Sequence, residues 1–338
     1  MERAGMRTAA VAAAAVGLAT SVAGAEYKLS LRPLPRGLDV AEFELWIPDT
    51  IPPSQPVRGV LGSSNYHAGA QVYDGAPWRE FAARAGLASL RYLLASGGKP
   101  IDTSREAALA VLRALKELAP LAGRPELEYA CFIPTGISWA ANQVCRFVQF
   151  VPDRVIAAVA FRATEADIRA AAATPASRQV PLLHLGAGCE HFGGYRPSES
   201  AKAFESLPKQ WAPHANLLQA GEPHHTLGDP AFTILWLESI VELRLPRAMP
   251  ARGPCQLRPV VEHAGWSGTY EIALSVAGEP WKGGQAMTSA AVRPYLRVQG
   301  GVMRPPEIRA WLPSERVARA WVELANTGRM GAGDCAAR

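Results

Sequence analysis

Charged residues are scarce in this chain, at 19% of 338 residues, whereas hydrophobic residues make up 49%. A chain so poor in charge is not typical of disordered proteins, and it holds enough apolar side chains to bury a sizeable core. Behind the formal net charge of +5 there is no clustered run of lysine and arginine. We therefore do not expect a nucleic-acid partner.

Cysteine is sparse, and none of it has the spacing that a metal site requires. The five cysteines are Cys131, Cys145, Cys189, Cys255 and Cys335, and no pair of them has zinc-ligand spacing. A glycine-rich phosphate loop is also missing, so the sequence predicts neither a metal nor another cofactor. In an oxidising compartment the odd count leaves at least one thiol unpaired. Cys255 and Cys335 are candidates for a bridge within the C-terminal part, while Cys131 and Cys145 are either two buried thiols or a bridge.

Only the first 25 residues have the composition of a targeting segment. Arg3 and Arg7 precede an apolar run over residues 8–16, and Ala23-Gly24-Ala25 has the pattern of a cleavage site. The run is too short for a membrane anchor, and no other segment could span a bilayer. We therefore expect a signal peptide over residues 1–25 that is cleaved after Ala25. The mature protein would be secreted or periplasmic, with no membrane association after cleavage.

Strand-like and helix-like segments alternate between residues 57 and 243. The strand-like runs are almost continuously apolar, as in residues 155–161, which is typical of strands buried on both faces. This predicts an α/β fold over residues 26–246, with a mostly parallel twisted sheet and helices on both faces. Residues 247–338 lack the alternation and are expected to pack on this core as an extension. The predicted strands are 57–62, 87–95, 129–135, 155–161, 180–186 and 216–220, and the predicted helices include 78–85, 139–150, 164–173, 198–211 and 229–243.

Ser138 lies between a predicted strand and a predicted helix, in the segment Gly136-Ile137-Ser138-Trp139-Ala140. Small residues two positions on either side of the serine are what a sharp strand-to-helix turn requires, because the strained turn leaves no room for larger side chains. Ala140 stands where a second glycine is common. The pattern predicts a nucleophile elbow with the Ser138 hydroxyl exposed at the edge of the sheet.

A serine hydroxyl becomes an effective nucleophile when a histidine accepts its proton and a carboxylate orients that histidine. In parallel sheets the functional residues lie just beyond the carboxyl ends of the strands. Glu190 follows the predicted strand 180–186, and His224 follows the predicted strand 216–220. We therefore predict Ser138, Glu190 and His224 as catalytic residues. The alternatives are His225 for the base and Glu165, Asp167 and Glu222 for the acid.

The negative charge that forms during such a reaction requires two backbone N–H donors. One is expected from Trp139, directly after the serine. The other is expected from the loop after the strand 57–62, at Asn65, with Tyr66 as the alternative. Tyr66, His67 and Trp139 are also predicted to contact the substrate, although the aromatic rings could equally well pack against the loop.

These segments resemble the α/β-hydrolase superfamily, and in particular secreted bacterial esterase-like proteins related to polyhydroxyalkanoate depolymerases and dienelactone hydrolases. The resemblance lies in residues 57–61 with the loop that follows, 136–140, 152–155, 181–190 and 221–224, and a likeness to the secreted members lies in 265–268 and 310–315. The departures are Ala140, Glu190 where aspartate is usual, and Ser63-Ser64 where glycines are common.

The resemblance implies an α/β-hydrolase fold and a secreted serine hydrolase that cleaves carboxylic esters through an acyl-enzyme at Ser138. Residues 162–179, where this superfamily often carries a lid, leave room for about one helix. A short or absent lid would admit large or polymeric esters as well as small ones. The alternatives are a non-catalytic binding protein on the same scaffold and an amidase or peptidase with the same three residues. The sequence does not indicate the oligomeric state.

Overall fold

The computed structural model describes residues 22–187, 212–219, 222, 224–246, 248–250, 253–261, 264–272, 287–294, 297–298, 301–302 and 310–327. Most of the predicted signal peptide, the predicted helix 198–211, Cys189, Glu190 and Cys335 lie outside the described residues. Within the described part of the chain, no helix combines the length and the apolarity needed to cross a membrane.

The described strands form one large mixed sheet and one small hairpin-like sheet. The large sheet contains β1 (Gly24–Ser30), β2 (Val40–Pro48), β3 (Gly59–Ser64), β4 (Leu87–Ala95), β5 (Phe132–Ile137), β6 (Ala158–Phe161), β7 (Leu182–Ala187), β8 (His214–Gln219), β9 (Trp266–Ile272), β10 (Met287–Pro294) and β13 (Ala310–Leu312); the small sheet contains β11 (Arg297–Val298) and β12 (Gly301–Val302). The order in the large sheet is β1-β2-β4-β3-β5-β6-β7-β8-β13-β9-β10. From β4 to β8 the neighbouring strands run parallel, and the pairs on either side of this block are antiparallel.

Helices connect the parallel strands. The described α-helices are α1 (Ala70–Asp74), α2 (Ala76–Ala85), α3 (Arg105–Leu121), α4 (Trp139–Phe150), α5 (Glu165–Ala171), α6 (Ala231–Arg244) and α7 (Glu315–Thr327). Ser104 caps the start of α3, because its Oγ accepts a hydrogen bond from the Ala107 N–H at 3.3 Å. The connection between β6 and β7 carries the seven-residue helix α5 and one short 3-10 turn, in agreement with the room expected there.

The sheet separates two apolar cores, and alternate residues of its strands face opposite sides. In β6, Ala158 and Ala160 belong to one core and Val159 and Phe161 to the other. The first core includes residues of α3, α4 and α5, and the second includes residues of α1, α2, α6 and α7. The prediction of a mostly parallel sheet with helices on both faces is therefore confirmed.

The C-terminal residues extend this sheet. Strand β13 pairs with β8 on one side and with β9 on the other. Helix α7 packs on the second core through the fully buried Trp321, whose Nε1–H donates to the Asn216 carbonyl in β8 at 3.1 Å. Strand β9 pairs in turn with β10, so its partners on both sides come from later in the chain.

Two predicted strands begin three residues later than expected. Strand β5 starts at Phe132 and not at Tyr129, because Pro125–Tyr129 forms a 3-10 helix. Strand β6 starts at Ala158 and not at Val155, and the Val155 carbonyl accepts a hydrogen bond from the Arg244 guanidinium at 2.8 Å. Apolar composition alone does not distinguish these lead-in residues from the strands that they precede.

Candidate active site

Ser138 occupies a sharp turn between β5 and α4. Its backbone has φ 58° and ψ −121°, a left-handed conformation that non-glycine residues adopt at an energetic cost of about 1–3 kcal/mol. The turn is held by the Ser138 N–H, which donates to the Phe161 carbonyl at 2.8 Å, and by the Ser138 carbonyl, which accepts from the Ala141 N–H at 2.9 Å. This is the strand, turn and helix arrangement that the sequence predicted.

The small residues around Ser138 have a direct steric role. A Cβ atom placed on Gly136 would lie 2.5 Å from the Ala140 carbonyl oxygen and 2.9 Å from the Ala140 Cβ. Ala140 itself is completely buried. The turn therefore accepts a methyl group at position 140 because position 136 has none.

His224 reaches the serine from the segment after β8. Its Nε2 lies 2.7 Å from the Ser138 Oγ, and its side chain is buried. His225 is exposed, and its ring packs edge-on against that of His224 with centroids 5.3 Å apart. Of the two candidate histidines, His224 is the one that contacts the serine.

Asp167, one of the alternative acids, has a structural role at the start of α5. Its carboxylate accepts from the Thr164 N–H at 2.8 Å, and the Thr164 Oγ1 accepts from the Asp167 N–H in return, which forms a capping box. The carboxylate also accepts a hydrogen bond from the Asn142 side chain. Burial raises the pKa of Asp167, against the opposing effect of these hydrogen bonds.

The other acidic candidates have different surroundings. Glu165 forms an exposed ion pair with Arg169 on the same helix. Glu222 is buried and accepts a hydrogen bond from the Thr226 hydroxyl. Glu190, the first choice for the acid, lies outside the described residues.

Arg162 is a buried cation directly after β6. It belongs to no catalytic sequence motif. Its Nη1 donates to the Leu185 carbonyl at 2.9 Å and to the Gln219 Oε1 at 2.7 Å, and its Nη2 donates to the Thr226 carbonyl at 2.9 Å. Its backbone has a positive φ of 59°. The guanidinium thus joins the ends of β7 and β8 to the segment that carries His224. In the sequence, the sign that pointed to this residue was a single arginine directly after a continuously apolar strand.

Phe161 and Arg162 together support both reacting side chains. The Phe161 carbonyl holds the Ser138 N–H, and the Arg162 side chain holds the Thr226 carbonyl two residues after His224. The distance between Ser138 and His224 therefore depends on one short stretch of backbone at the end of β6.

The prediction that Asn65 donates to an oxyanion is wrong. The Asn65 N–H donates to the Tyr92 carbonyl at 2.8 Å, because the chain continues its pairing with β4 for one residue beyond β3. The half-buried Tyr66 follows, and residues 67–69 then form a 3-10 helix that contains His67. Trp139 is the first residue of α4, where the backbone N–H has no acceptor within the helix. Its side chain is 40% exposed.

The order β1-β2-β4-β3-β5-β6-β7-β8, with the serine turn after β5 and the contacting histidine after β8, decides the fold. The chain has the α/β-hydrolase fold. The more specific resemblance to polyhydroxyalkanoate depolymerases and dienelactone hydrolases stays a prediction.

Several solved structures are similar to this chain. The feruloyl esterase module of Clostridium thermocellum is 9% identical, with a TM-score of 0.44 over 61% of this chain and 85% of that one. An S-formylglutathione hydrolase from Agrobacterium tumefaciens is 15% identical, with a TM-score of 0.44 over 66% of this chain and 96% of that one. An esterase of Pyrococcus furiosus is 16% identical, with a TM-score of 0.43 over 65% of this chain and 91% of that one. No family model and no curated protein matches the chain. The fold is therefore assigned from the chain's own strand order and serine turn.

Two further histidines of the α/β-hydrolase sheet lie in the protein interior. His184 in β7 forms a hydrogen bond through Nδ1 with the Asn216 Oδ1 at 3.2 Å, and His214 begins β8. Burial lowers the pKa of each to about 4, so both rings are neutral near pH 7. Among the described residues, no group of histidine, cysteine and carboxylate side chains could hold a metal ion.

Proposed function

We propose that this chain is a serine hydrolase that cleaves carboxylic esters through an acyl-enzyme intermediate on Ser138. The observation that carries the proposal is the 2.7 Å contact between the Ser138 Oγ and the His224 Nε2 at a strained strand-to-helix turn. A serine held in this conformation next to a buried imidazole is what nucleophilic acyl transfer requires. The esterase and hydrolase names of the similar structures agree with this class of reaction.

In the proposed reaction, His224 accepts the hydroxyl proton as the Ser138 oxygen attacks the ester carbonyl. The same imidazole then donates that proton to the leaving alcohol, and in the second half-reaction it activates the water that releases the acid. Glu190 is the proposed carboxylate that orients His224 through Nδ1. The hydrogen bonds of Asp167 to Thr164 and Asn142 favour a structural role for that competitor.

The oxyanion is proposed to bind the backbone N–H groups of Trp139 and Tyr66. Trp139 supplies the first N–H of α4, where the helix dipole favours negative charge. Tyr66 replaces Asn65 in this role, since the Asn65 N–H already donates to the Tyr92 carbonyl. The exposed ring of Trp139 and the neighbouring Tyr66 and His67 are the proposed substrate contacts.

The substrate class is proposed from the short connection between β6 and β7. With only α5 and a 3-10 turn there, access to Ser138 from that side suits bulky or polymeric esters as well as small ones.

The protein is further proposed to act outside the cytoplasm after cleavage behind Ala25. That cleavage would remove two residues of β1 and leave Glu26–Ser30 paired with β2, and N-terminal sequencing of the exported protein would show Glu26 as the first residue.

The test is hydrolysis of p-nitrophenyl esters from acetate to long acyl chains by the wild type and Ser138→Ala. We expect kcat to fall on the order of 10⁴-fold or more in the variant, because the whole catalytic unit acts through this oxygen. Ser239→Ala is the matched control, since the Ser239 hydroxyl donates to the Leu235 carbonyl within α6, lies 3.5 Å from the Ser314 hydroxyl and has no part in the proposed reaction. Its turnover should equal that of the wild type, and both variants should keep the wild-type urea midpoint.

Other outcomes would redirect the proposal. Unchanged ester turnover in Ser138→Ala would refute it. Cleavage of p-nitroanilides but not of esters by the wild type would favour an amidase. A folded wild type that turns over neither substrate and does not react with a fluorophosphonate would favour a binding protein on this scaffold.

A further inference from the structure

Cys131 and Cys255 meet at the end of the sheet opposite to Ser138. Cys131 directly precedes β5, and its carbonyl accepts the Val60 N–H at 2.9 Å. Cys255 lies in the segment after α6, 124 positions later. The Cys131 thiol donates a hydrogen bond to the Cys255 carbonyl oxygen, with its Sγ at 3.7 Å. Both side chains are buried free thiols.

Three arginines surround this thiol pair. Arg154 donates to the Ala130 carbonyl at 2.8 Å, next to Cys131, and Arg244 donates to the Val155 and Ile156 carbonyls at 2.8 Å. The positive charges of Arg154 and Arg58 both lower the pKa of the Cys255 thiol. Guanidinium groups near a thiol favour its negatively charged form.

The two thiols respond to this environment in opposite ways. The neighbouring Cys131 side chain, together with Arg154 and Arg58, lowers the pKa of Cys255. The neighbouring Cys255 side chain and burial raise the pKa of Cys131 above its usual range. Cys255 is therefore the member of the pair that loses its proton more readily, and thiol–disulfide exchange begins at such a thiol.

We propose that Cys131 and Cys255 are a disulfide-forming pair that fastens the segment after α6 to the start of β5. The Cys255 thiolate attacks one sulfur of an external disulfide, forms a mixed disulfide and releases one external thiolate. Cys131 then loses its proton and attacks the Cys255 sulfur, which releases the second external thiolate. Two protein thiols are oxidised to one disulfide, and the external disulfide is reduced to two thiols.

The proposed bridge closes a loop that contains both Ser138 and His224, yet it lies at the amino ends of the parallel strands, away from their reaction. We therefore expect the bridge to stabilise the protein without changing the site. This pairing differs from the Cys255–Cys335 bridge that was a candidate from the sequence. It joins Cys255 to Cys131, which directly precedes β5 and contacts the Cys255 carbonyl.

The experiment exposes the full-length reduced protein to oxidised glutathione at pH 8, blocks remaining thiols with iodoacetamide at low pH and maps the peptides without reduction. The expected product is a peptide pair joined through Cys131 and Cys255. Because Cys131 and Cys145 fall on one tryptic peptide, the map is repeated with Cys145→Ala, in which the crosslink should persist. It should be absent in Cys131→Ala and in Cys255→Ala.

A second measurement uses only the wild-type protein, so it does not require any variant to fold. Dithiothreitol should lower the Tm of the oxidised wild type by several degrees, and kcat on an ester should stay within twofold. Recovery of Cys131 and Cys255 as separate alkylated peptides would overturn the proposal. A crosslink from Cys255 to Cys335 or from Cys131 to Cys145 would overturn it as well.

Discussion

Replacing Arg162 by methionine would remove a buried guanidinium and keep most of its apolar stem. The side chain is 1% exposed, and three of its hydrogen bonds, to Leu185, Gln219 and Thr226, span 2.7–2.9 Å. A hydrogen bond to a charged group contributes about 1.5–3 kcal/mol. Because the variant also avoids the desolvation of a buried cation, we expect a net loss of about 3–5 kcal/mol in the free energy of unfolding.

The effect on catalysis follows from the link to Thr226. Without it, the His224 segment loses its bond to the end of β6, which also holds the Ser138 N–H through the Phe161 carbonyl. Misplacement of a reacting group by about 1 Å reduces the rate on the order of 10²-fold. We therefore expect kcat to fall on the order of 10²-fold while KM changes little. Arg162→Lys, which keeps one donor group, should recover part of this loss.

The matched control is Arg124→Met. Arg124 is also buried and donates three hydrogen bonds of 2.6–3.0 Å to backbone carbonyls, at residues 51–55 before β3. It should lose at least as much stability in urea unfolding, because it also leaves the buried Glu126 carboxylate, 3.8 Å away, without its cation, and it should keep kcat within twofold of the wild type. Both variants are assayed with a p-nitrophenyl ester at a temperature where each is fully folded. Equal kcat values for the Arg162 and Arg124 variants would refute a positioning role for Arg162.

Two further predictions concern the turn and the buried histidines. Gly136→Ala should destabilise the protein by about 1–3 kcal/mol and lower kcat at least tenfold, since its methyl would meet the Ala140 backbone at 2.5 Å. The control Ala140→Gly should keep kcat within threefold and lower the free energy of unfolding by no more than about 1 kcal/mol. Urea unfolding and ester assays test both variants. Wild-type turnover in Gly136→Ala would contradict the steric argument. His184 and His214, with pKa values of about 4 in the folded state, bind more protons when unfolded. Their contribution to stability is therefore complete above pH 6.5 and is lost as the pH falls towards 4, by about 2 kcal/mol each between pH 8 and pH 5. His214→Phe should reduce that loss of stability by about 2 kcal/mol, and an unchanged pH dependence would contradict it.

The interior strands and the serine turn were predictable from the sequence because their signals are local. Residues 87–95 and 139–150 were predicted with the bounds that β4 and α4 have in the structure. Continuous apolar runs report strands buried on both faces, and small residues on both sides of Ser138 report a turn with no space around it. The first residues of β5 and β6 were predicted incorrectly, because the residues that precede these strands are as apolar as the strands themselves.

Asn65 shows where local reasoning fails. Its position after β3 matches that of an oxyanion donor, but whether its N–H is available depends on how far β3 continues to pair with β4. The bond to the Tyr92 carbonyl comes from a strand almost thirty residues away. No property of the loop sequence reports that extension.

The sequence was sufficient to predict the alternation that builds the parallel sheet, the turn at Ser138 and the placement of His224 after a strand. Which side chains meet became clear in the folded chain: His224 rather than His225 contacts Ser138, Arg162 holds the backbone near His224, and Cys255 lies beside Cys131. Periodicity and turn chemistry act over a few residues and are readable along the chain. Contacts between residues 86 or 124 positions apart depend on strand order and register, which are fixed only when the whole sheet packs.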